Sequence, residues 1–125
     1  MRIAYIAGKY QSPTLNGVRI NVLRAEALAM KYWVKGYGVI CPHKNCNLIE
    51  CPEITEDQIM GAFFSMIERC VDIMVMIPGW QDSRGATQEY DLAVKLGIEI
   101  VYETEETISE YLRKPVRGTN ERTSA

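Results

Sequence analysis

The sequence predicts an α/β fold, a three-layer sandwich of the flavodoxin or Rossmann type around a parallel sheet of four to five strands. Short apolar runs alternate along the chain with segments whose apolar residues recur at helical spacing. The run at residues 72–77 contains Ile, Val and Met without polar alternation, as expected for a strand covered on both faces. Strand, helix and strand in this order imply a right-handed crossover and a parallel pair.

The individual elements follow from their periodicity and their end signals. Strands are predicted at residues 2–7, 37–41, 72–77 and 98–102. Helices are predicted at residues 18–35, 56–69, from 83 or 84 up to Gly97, and 105–112. Gly36 and Gly97 end two of the helices, and Thr55 caps another. In the first helix the apolar residues that recur at helical spacing are Val22, Leu23, Ala25, Ala29, Met30 and Trp33. The side chains expected to be buried by the second helix are Ile59, Met60, Phe63, Met66, Ile67 and Cys70.

Length and charge limit the class of protein. A chain of 125 residues suits one domain, which we place at residues 1–113, and the polar stretch from Lys114 onward is expected to be disordered. The formal net charge is −2 and the basic residues are scattered, so no nucleic-acid polymer is expected as a partner. No run is apolar enough to span a membrane and Arg2 leads straight into a strand, so we expect no membrane association and a cytoplasmic location.

The loop after the central strand has the residue types of an anion site. Pro78 breaks the strand, and Asp82 or Ser83 can cap the helix that follows. Gly85 and Ala86 let another group approach the backbone, where the free N–H groups of the first turn suit an anion such as phosphate. Ligands of parallel sheets bind at the carboxyl ends of the strands, and this loop lies at such an end.

Glu89 follows the start of this helix by about one turn, near the positive end of the helix dipole. We therefore expect its carboxylate to stay ionised and reachable, with Gly85 and Ala86 leaving space over it. Such a carboxylate beside a phosphate site suits a nucleophile towards the sugar of a nucleotide. The alternative is a helix-surface acid. Against it, Glu89 has no basic residue at i+4, whereas Asp91 has Lys95 there.

The loop at residues 8–17 forms a second candidate wall of the site. Its polar and aromatic residues include Lys9, Tyr10, Ser12 and Asn16. His43, the single histidine, directly follows the second strand and therefore lies at the same end of the sheet as Glu89. It could help to bind a ligand, and a structural hydrogen bond of a loop histidine is the alternative.

The segment at residues 42–55 is expected to be irregular, and possible metal ligands lie in or beside it. These are Cys41, His43, Cys46 and Cys51. Their spacing matches no common pattern of paired ligands, so a metal is not expected. A disulfide between Cys46 and Cys51 is less expected still in a cytoplasmic protein, which leaves free thiols.

Several motifs resemble those of one enzyme family. They are YIAG at residues 5–8, Asn21 and Ala25 in the first helix, GYGVICPH at residues 36–43, and above all DIMVMIPGWQDSRGATQE at residues 72–89. Over residues 2–102 the chain resembles the small, often phage-borne relatives of nucleoside 2-deoxyribosyltransferases. The spacing of Ser, Gly and Glu in the last motif is also similar to that of the 2′-deoxynucleoside 5′-phosphate N-hydrolases.

The resemblance implies cleavage or transfer at the N-glycosidic bond of a (deoxy)nucleoside 5′-monophosphate. It implies that Glu89 attacks the anomeric carbon of the sugar and that Tyr5 positions this carboxylate. Ser83 and Gly85 would bind the 5′-phosphate. The remaining candidates for substrate binding are Gly8, Lys9, Tyr10, Asn21, His43, Trp80 and Ala86. This chemistry requires no metal or organic cofactor, and the resemblance implies a homodimer or a larger homo-oligomer.

One position departs from the family pattern. An aspartate on the helix before the central strand assists the leaving base in these enzymes, and the matching residue here is Phe64, which cannot exchange a proton. An alternative function is therefore a binder that sequesters or senses a nucleotide without turnover. A third is a structural or interaction protein on the same fold. Trp80 and Tyr10 could each stack on a base, and Trp80 equally suits a loop anchor packed on its own domain.

Overall fold

The computed structural model describes residues 1–46 and 51–114 of the chain. The described residues form four strands, β1 (Ile3–Ala7), β2 (Gly38–Ile40), β3 (Ile73–Met76) and β4 (Glu99–Tyr102). The helices are α1 (Leu15–Val34), α2 (Pro42–Cys46), α3 (Glu56–Cys70), α4 (Arg84–Leu96) and α5 (Glu105–Leu112), and one 3₁₀ turn, Trp80–Asp82, precedes α4. Beyond Lys114, the tail that the sequence predicts to be disordered lies outside the described residues.

The sheet is parallel throughout, with the strand order β2-β1-β3-β4. Tyr5 in β1 lies opposite Ile40 of β2 on one side and Met74 of β3 on the other. The chain leaves β1 towards β2 on one side and later returns to place β3 on the other side. The crevice at the carboxyl ends of β1 and β3 is therefore the topological switch point, where open parallel sheets bind ligands.

The side chains of β1 alternate between two apolar clusters, one on each face of the sheet. Ala4 and Ile6 belong to the cluster that also contains residues of α1 and Ile108 of α5. Tyr5 and Ala7 belong to the cluster formed with residues of α3 and α4. Helices therefore cover both faces, and the α/β sandwich predicted from the sequence is confirmed.

Helix α1 begins three residues earlier than the sequence predicted, because Thr14 caps it. The Thr14 side chain accepts a hydrogen bond from the N–H of Gly17, at 3.0 Å. Not all of the apolar residues that recur at helical spacing are buried, since Trp33 is 56% exposed and Leu23 and Met30 are exposed as well. The helix instead buries the following residues: Val22, Ala25, Ala27, Leu28, Ala29 and Tyr32. Four alanine and valine side chains in this set let the helix backbone approach the sheet closely.

Two expectations about the cysteine-containing segments need correction. The segment predicted to be irregular begins with the short helix α2, which Pro42 starts at a position where its missing N–H costs nothing. Cys70 is exposed rather than buried, and its thiol donates to the carbonyl of Met66 at 3.4 Å. Cys41, Cys51 and Cys70 are free thiols. The side chain of Cys46 and residues 47–50 lie outside the described part of the chain.

Two possible features are absent from residues 1–46 and 51–114. No group of three His, Cys, Asp or Glu side chains in these ranges is placed to hold a metal ion. None of the helices in the same ranges has both the length and the apolar character needed to cross a membrane.

The close approach of β1 and β3 predicts opposite effects for two glycine substitutions. A methyl group on Gly8 would lie 2.5–2.8 Å from side-chain carbons of Ile77, including the branched Cβ. Gly61 lies inside α3, where an added methyl group meets no atom within 4 Å. We expect Gly8→Ala to lower the free energy of unfolding by about 1–3 kcal/mol and Gly61→Ala to raise it by roughly 0.5–1 kcal/mol. Urea unfolding of both variants checks this, and equal stabilities would contradict the tight contact at Gly8.

Candidate active site

A buried tyrosine and a buried glutamate meet beside the switch point. Tyr5 lies on β1 and is completely buried, and Glu89 lies on the second turn of α4 and is 7% exposed. The Tyr5 hydroxyl donates a short hydrogen bond to Oε2 of Glu89. The ring of Phe63 packs edge-on against Tyr5, with the ring centroids 6.3 Å apart. The carboxyl group is thus held by one specific partner on an otherwise apolar face of the sheet.

Burial dominates the electrostatics of Glu89. The loss of water raises its pKa from 4.5 to about 7, and the hydrogen bond from Tyr5 lowers the pKa in opposition. Glu89 is therefore less exposed and less readily ionised than its place near the positive end of the helix dipole predicted. Removing this carboxylate from water is costly, which shifts its ionisation towards neutral pH.

Ser83 organises the turn before α4. Of the two residues predicted as the helix cap, Asp82 and Ser83, it is Ser83 that caps α4. Its hydroxyl oxygen accepts from the N–H of Ala86 at 3.1 Å, whereas Asp82 ends the preceding 3₁₀ turn. Thr87 donates its hydroxyl proton to the carbonyl of Ser83 at 2.8 Å. The turn also needs Gly79, which adopts a left-handed conformation with φ of 90°.

The predicted phosphate-binding residues differ in what they can offer an anion. Ser83 can still donate its hydroxyl proton while its oxygen serves as the cap. In the described part of the chain no acceptor pairs with the N–H groups of Arg84 and Gly85, as is usual at the start of a helix. Ala86 is buried and its N–H is already used by the cap. The accessible donors are therefore those of residues 83–85.

The loop after β1 is fixed by two of the predicted binding residues. Asn21 on α1 donates from Nδ2 to the carbonyl of Tyr10 at 3.0 Å. Nε2 of His43 lies 3.0 Å from the carbonyl of Lys9, and the ring of Tyr10 packs edge-on against the imidazole, with the centroids 5.9 Å apart. Gly8 is buried against Ile77, and the side chain of Lys9 is exposed. The structural hydrogen bond that was one alternative for His43 is therefore present.

His43 is 3% exposed, and burial lowers the pKa of its imidazole. Since Nε2 donates to the carbonyl of Lys9, the neutral ring leaves Nδ1 as an acceptor. This Nδ1 has no hydrogen-bond partner among the described residues. Burial therefore disfavours the charged imidazolium, and Nδ1 of the neutral ring is left as a hydrogen-bond acceptor.

Trp80 packs against the apolar cluster that contains Tyr5. Trp80 stacks on Tyr90 with the ring centroids 4.4 Å apart, and the Tyr90 hydroxyl lies 2.8 Å from that of Tyr102 at the end of β4. Trp80 is therefore packed on its own domain, towards the β4 side of α4. In the β1–α1 loop, Ser12 accepts from the N–H of Thr14, and Asn16 is exposed in the first turn of α1.

Phe64 is partly buried and packs against the same cluster that contains Tyr5. No carboxylate occupies that position on α3. A residue that the sequence reasoning missed is Arg24, whose guanidinium donates to the carbonyl of Pro78 at 3.1 Å. The available signal was its spacing, since Arg24 follows Asn21 by three residues on the same side of α1.

The fold and the buried pair define an α/β protein with a candidate site at the switch point of a parallel sheet. The chain belongs to the family described as Domain of unknown function (DUF4406), whose model matches residues 3–102. No curated protein and no solved structure matches the chain. The family description names no activity, so the relation to nucleoside 2-deoxyribosyltransferases stays a prediction.

The raised pKa of Glu89 predicts a pH-dependent effect of Glu89→Gln on stability. The folded pKa of about 7 exceeds the unfolded value of 4.5, so the folded state binds the proton more tightly, and wild-type stability falls as the pH rises through this window. Gln cannot ionise. We therefore expect Glu89→Gln to gain roughly 3 kcal/mol over the wild type above pH 7 and to show little of this gain near pH 4.

Urea unfolding of both proteins between pH 4 and pH 8 measures this difference. Asp91→Asn serves as the control because Asp91 is exposed two residues further along α4. Stability curves of Glu89→Gln and wild type that run parallel across this range would contradict the raised pKa.

Proposed function

We propose that this protein cleaves or transfers the N-glycosidic bond of a (deoxy)nucleoside 5′-monophosphate, with Glu89 as the nucleophile. The observation that supports the proposal most is the hydrogen-bonded pair of Tyr5 and Glu89 beside the anion-binding turn of residues 83–85. The pair lies at the switch point of the sheet, and the turn offers backbone and hydroxyl donors to a phosphate.

In the proposed reaction the ionised carboxylate of Glu89 attacks the anomeric carbon of the sugar. The bond between that carbon and the base nitrogen breaks, and its electron pair leaves with the base. The hydrogen bond from Tyr5 to Oε2 holds the carboxylate in one orientation and leaves Oε1 as the attacking atom. Water or a second base then displaces Glu89 from the sugar, with retention of configuration overall.

The apolar surroundings of Glu89 support its role as a nucleophile. A carboxylate with a pKa of about 7 is more basic than one in water, and its burial leaves little hydration to be lost when the sugar binds. In the proposed complex the phosphate binds at the start of α4, one turn from the Glu89 carboxylate. The phosphate and the carboxylate then lie at opposite ends of the sugar of the nucleotide.

Departure of the base is the step for which this chain offers least help. Phe64 replaces the acidic residue expected on α3, and a missing general acid typically costs ~10²–10⁴ in rate. The partly buried Phe64 is therefore the specific observation that favours a second candidate function, a nucleotide binder without turnover. Such a protein would keep the phosphate-binding turn and lose the chemistry.

We expect the wild type to release free base from at least one member of a panel of ribo- and deoxyribonucleoside 5′-monophosphates. Release from the matching nucleosides should be slower, because they lack the phosphate that residues 83–85 bind. Glu89→Gln should lose at least 10³-fold in rate, a size typical of a lost covalent nucleophile, while Asp91→Asn retains activity. Chromatographic detection of the base measures this.

The outcomes of that experiment separate the two candidate functions. Base released equally by Glu89→Gln would remove Glu89 from the mechanism. Binding of a 5′-monophosphate in a calorimetric titration without any base release would support the binder instead.

A second prediction concerns pH. Because only ionised Glu89 attacks, kcat/KM should rise with pH through an apparent pKa near 7. Tyr5→Phe removes the hydrogen bond that lowers this pKa, so its rising limb should move to higher pH, in addition to any fall in the plateau. Rate profiles of both proteins between pH 5 and pH 9 test this, and a limb that stays in place in Tyr5→Phe would contradict the coupling.

A further inference from the structure

Two side chains of α1 hold the two loops that border the crevice. Asn21 donates to the carbonyl of Tyr10 in the loop after β1, at 3.0 Å. Arg24, three residues later on the same side of the helix, donates from Nη2 to the carbonyl of Pro78 in the loop after β3, at 3.1 Å. The two loops are far apart in sequence, yet both are attached to one turn of a single helix.

The guanidinium of Arg24 is held in turn from α5. Its Nη2 donates to Oε2 of Glu105 at 3.0 Å, and its Nη1 donates to Oε1 of the same carboxylate. This pairing lowers the pKa of Glu105. Because the forked guanidinium uses both nitrogens on Glu105 and one of them also on Pro78, its plane has a fixed direction. Its charge is neutralised by a carboxylate, so Arg24 acts on the loop rather than as an anion ligand.

The carbonyl that Arg24 holds lies at the start of the anion-binding turn. Pro78 is followed by Gly79 in the left-handed conformation, and then by local hydrogen bonds that lead to the cap. These run from Asp82 N–H to the Gly79 carbonyl at 3.1 Å and from Ser83 N–H to the Trp80 carbonyl at 3.0 Å. Such short-range bonds set the shape of the turn. A backbone hydrogen bond from the N–H of Ile77 to the carbonyl of Ala7, at 2.9 Å, ties the start of the turn to β1. The contact from Arg24 ties the turn to α1.

We propose that Arg24 is a positioning residue that fixes the turn of residues 79–85 against α1 and thereby sets the preference for a 5′-phosphate. The inference rests on the proposed function, because it assigns Arg24 to the same nucleotide site. When the turn is already ordered, phosphate binding does not have to offset the entropy lost on ordering it. Loss of Arg24 therefore weakens phosphate binding, although Arg24 itself does not contact the phosphate.

The test combines backbone hydrogen exchange with nucleotide binding in Arg24→Lys and Arg24→Gln. Lys keeps a positive charge for Glu105 but cannot serve Glu105 and the Pro78 carbonyl together through one planar fork. Lys31→Gln is the matched control. Lys31 lies on the next turns of α1 and pairs with Glu103 at 2.8 Å, and both of its side-chain hydrogen bonds in the described part of the chain go to that carboxylate.

We expect the hydrogen-bonded amide protons of this turn, those of Trp80, Asp82 and Ser83, to exchange at least tenfold faster in both Arg24 variants than in the wild type, with Lys31→Gln unchanged there. The affinity ratio of a nucleoside 5′-monophosphate to its nucleoside, measured by calorimetry, should fall about tenfold in the Arg24 variants and not in the control. Unchanged exchange in Arg24→Lys and Arg24→Gln, or an unchanged affinity ratio, would overturn the inference. A wild type that binds no nucleotide would refute the proposed function, and the exchange comparison would still judge the role of Arg24 in the turn.

Discussion

The hydrogen bond between Tyr5 and Glu89 joins the central strand β1 to helix α4, across 84 residues of sequence. Both groups lie in an apolar cluster, where an unpaired carboxyl group or hydroxyl group would cost several kcal/mol. Each satisfies the other, which allows α4 to pack against the sheet at this point. The same burial raises the pKa of Glu89 to about 7, so the ionisation of this side chain is coupled to the packing of the helix.

This coupling explains how one residue can contribute to both structure and the proposed chemistry. In water, a carboxylate with an ordinary pKa is always ionised at neutral pH and is a weak nucleophile. In the Tyr5–Glu89 pair, burial disfavours ionisation of the Glu89 carboxyl group. The hydrogen bond from the tyrosine hydroxyl favours ionisation and so offsets part of this effect. The protein thereby keeps a more basic carboxylate in a fixed orientation, at the expense of some stability above neutral pH.

Helix α1 supplies the frame around this pair. Its small side chains pack on the sheet, and its Asn21 and Arg24 hold the loops after β1 and β3. The far side of the helix leaves Leu23, Met30 and Trp33 exposed within the described part of the chain. His43 completes the loop after β1, and burial lowers the pKa of its imidazole, which disfavours a positive charge there.

The fold was predictable from the sequence because strands and helices leave local signals. Four apolar runs of strand length and the periodic segments between them predicted the parallel sheet, and the turn chemistry around Pro78 and Ser83 predicted the start of α4. The cap at Thr14 was missed because the apolar periodicity of α1 becomes clear only after its first turn. The buried face of α1 could not be assigned from the sequence because its apolar residues cover more than one side of the helix.

The sequence by itself determined the order of the elements, the polar turn before α4 and the absence of an acidic residue at Phe64, since each depends on residues that are close along the chain. Only the tertiary structure decided that Glu89 and His43 are buried and that Arg24 holds Pro78. A position on a helix shows where a side chain lies relative to that helix, but its solvation depends on what packs over it. Burial and long-range partners therefore set the electrostatics of this site, and they exist only once β1, α1 and α4 are assembled.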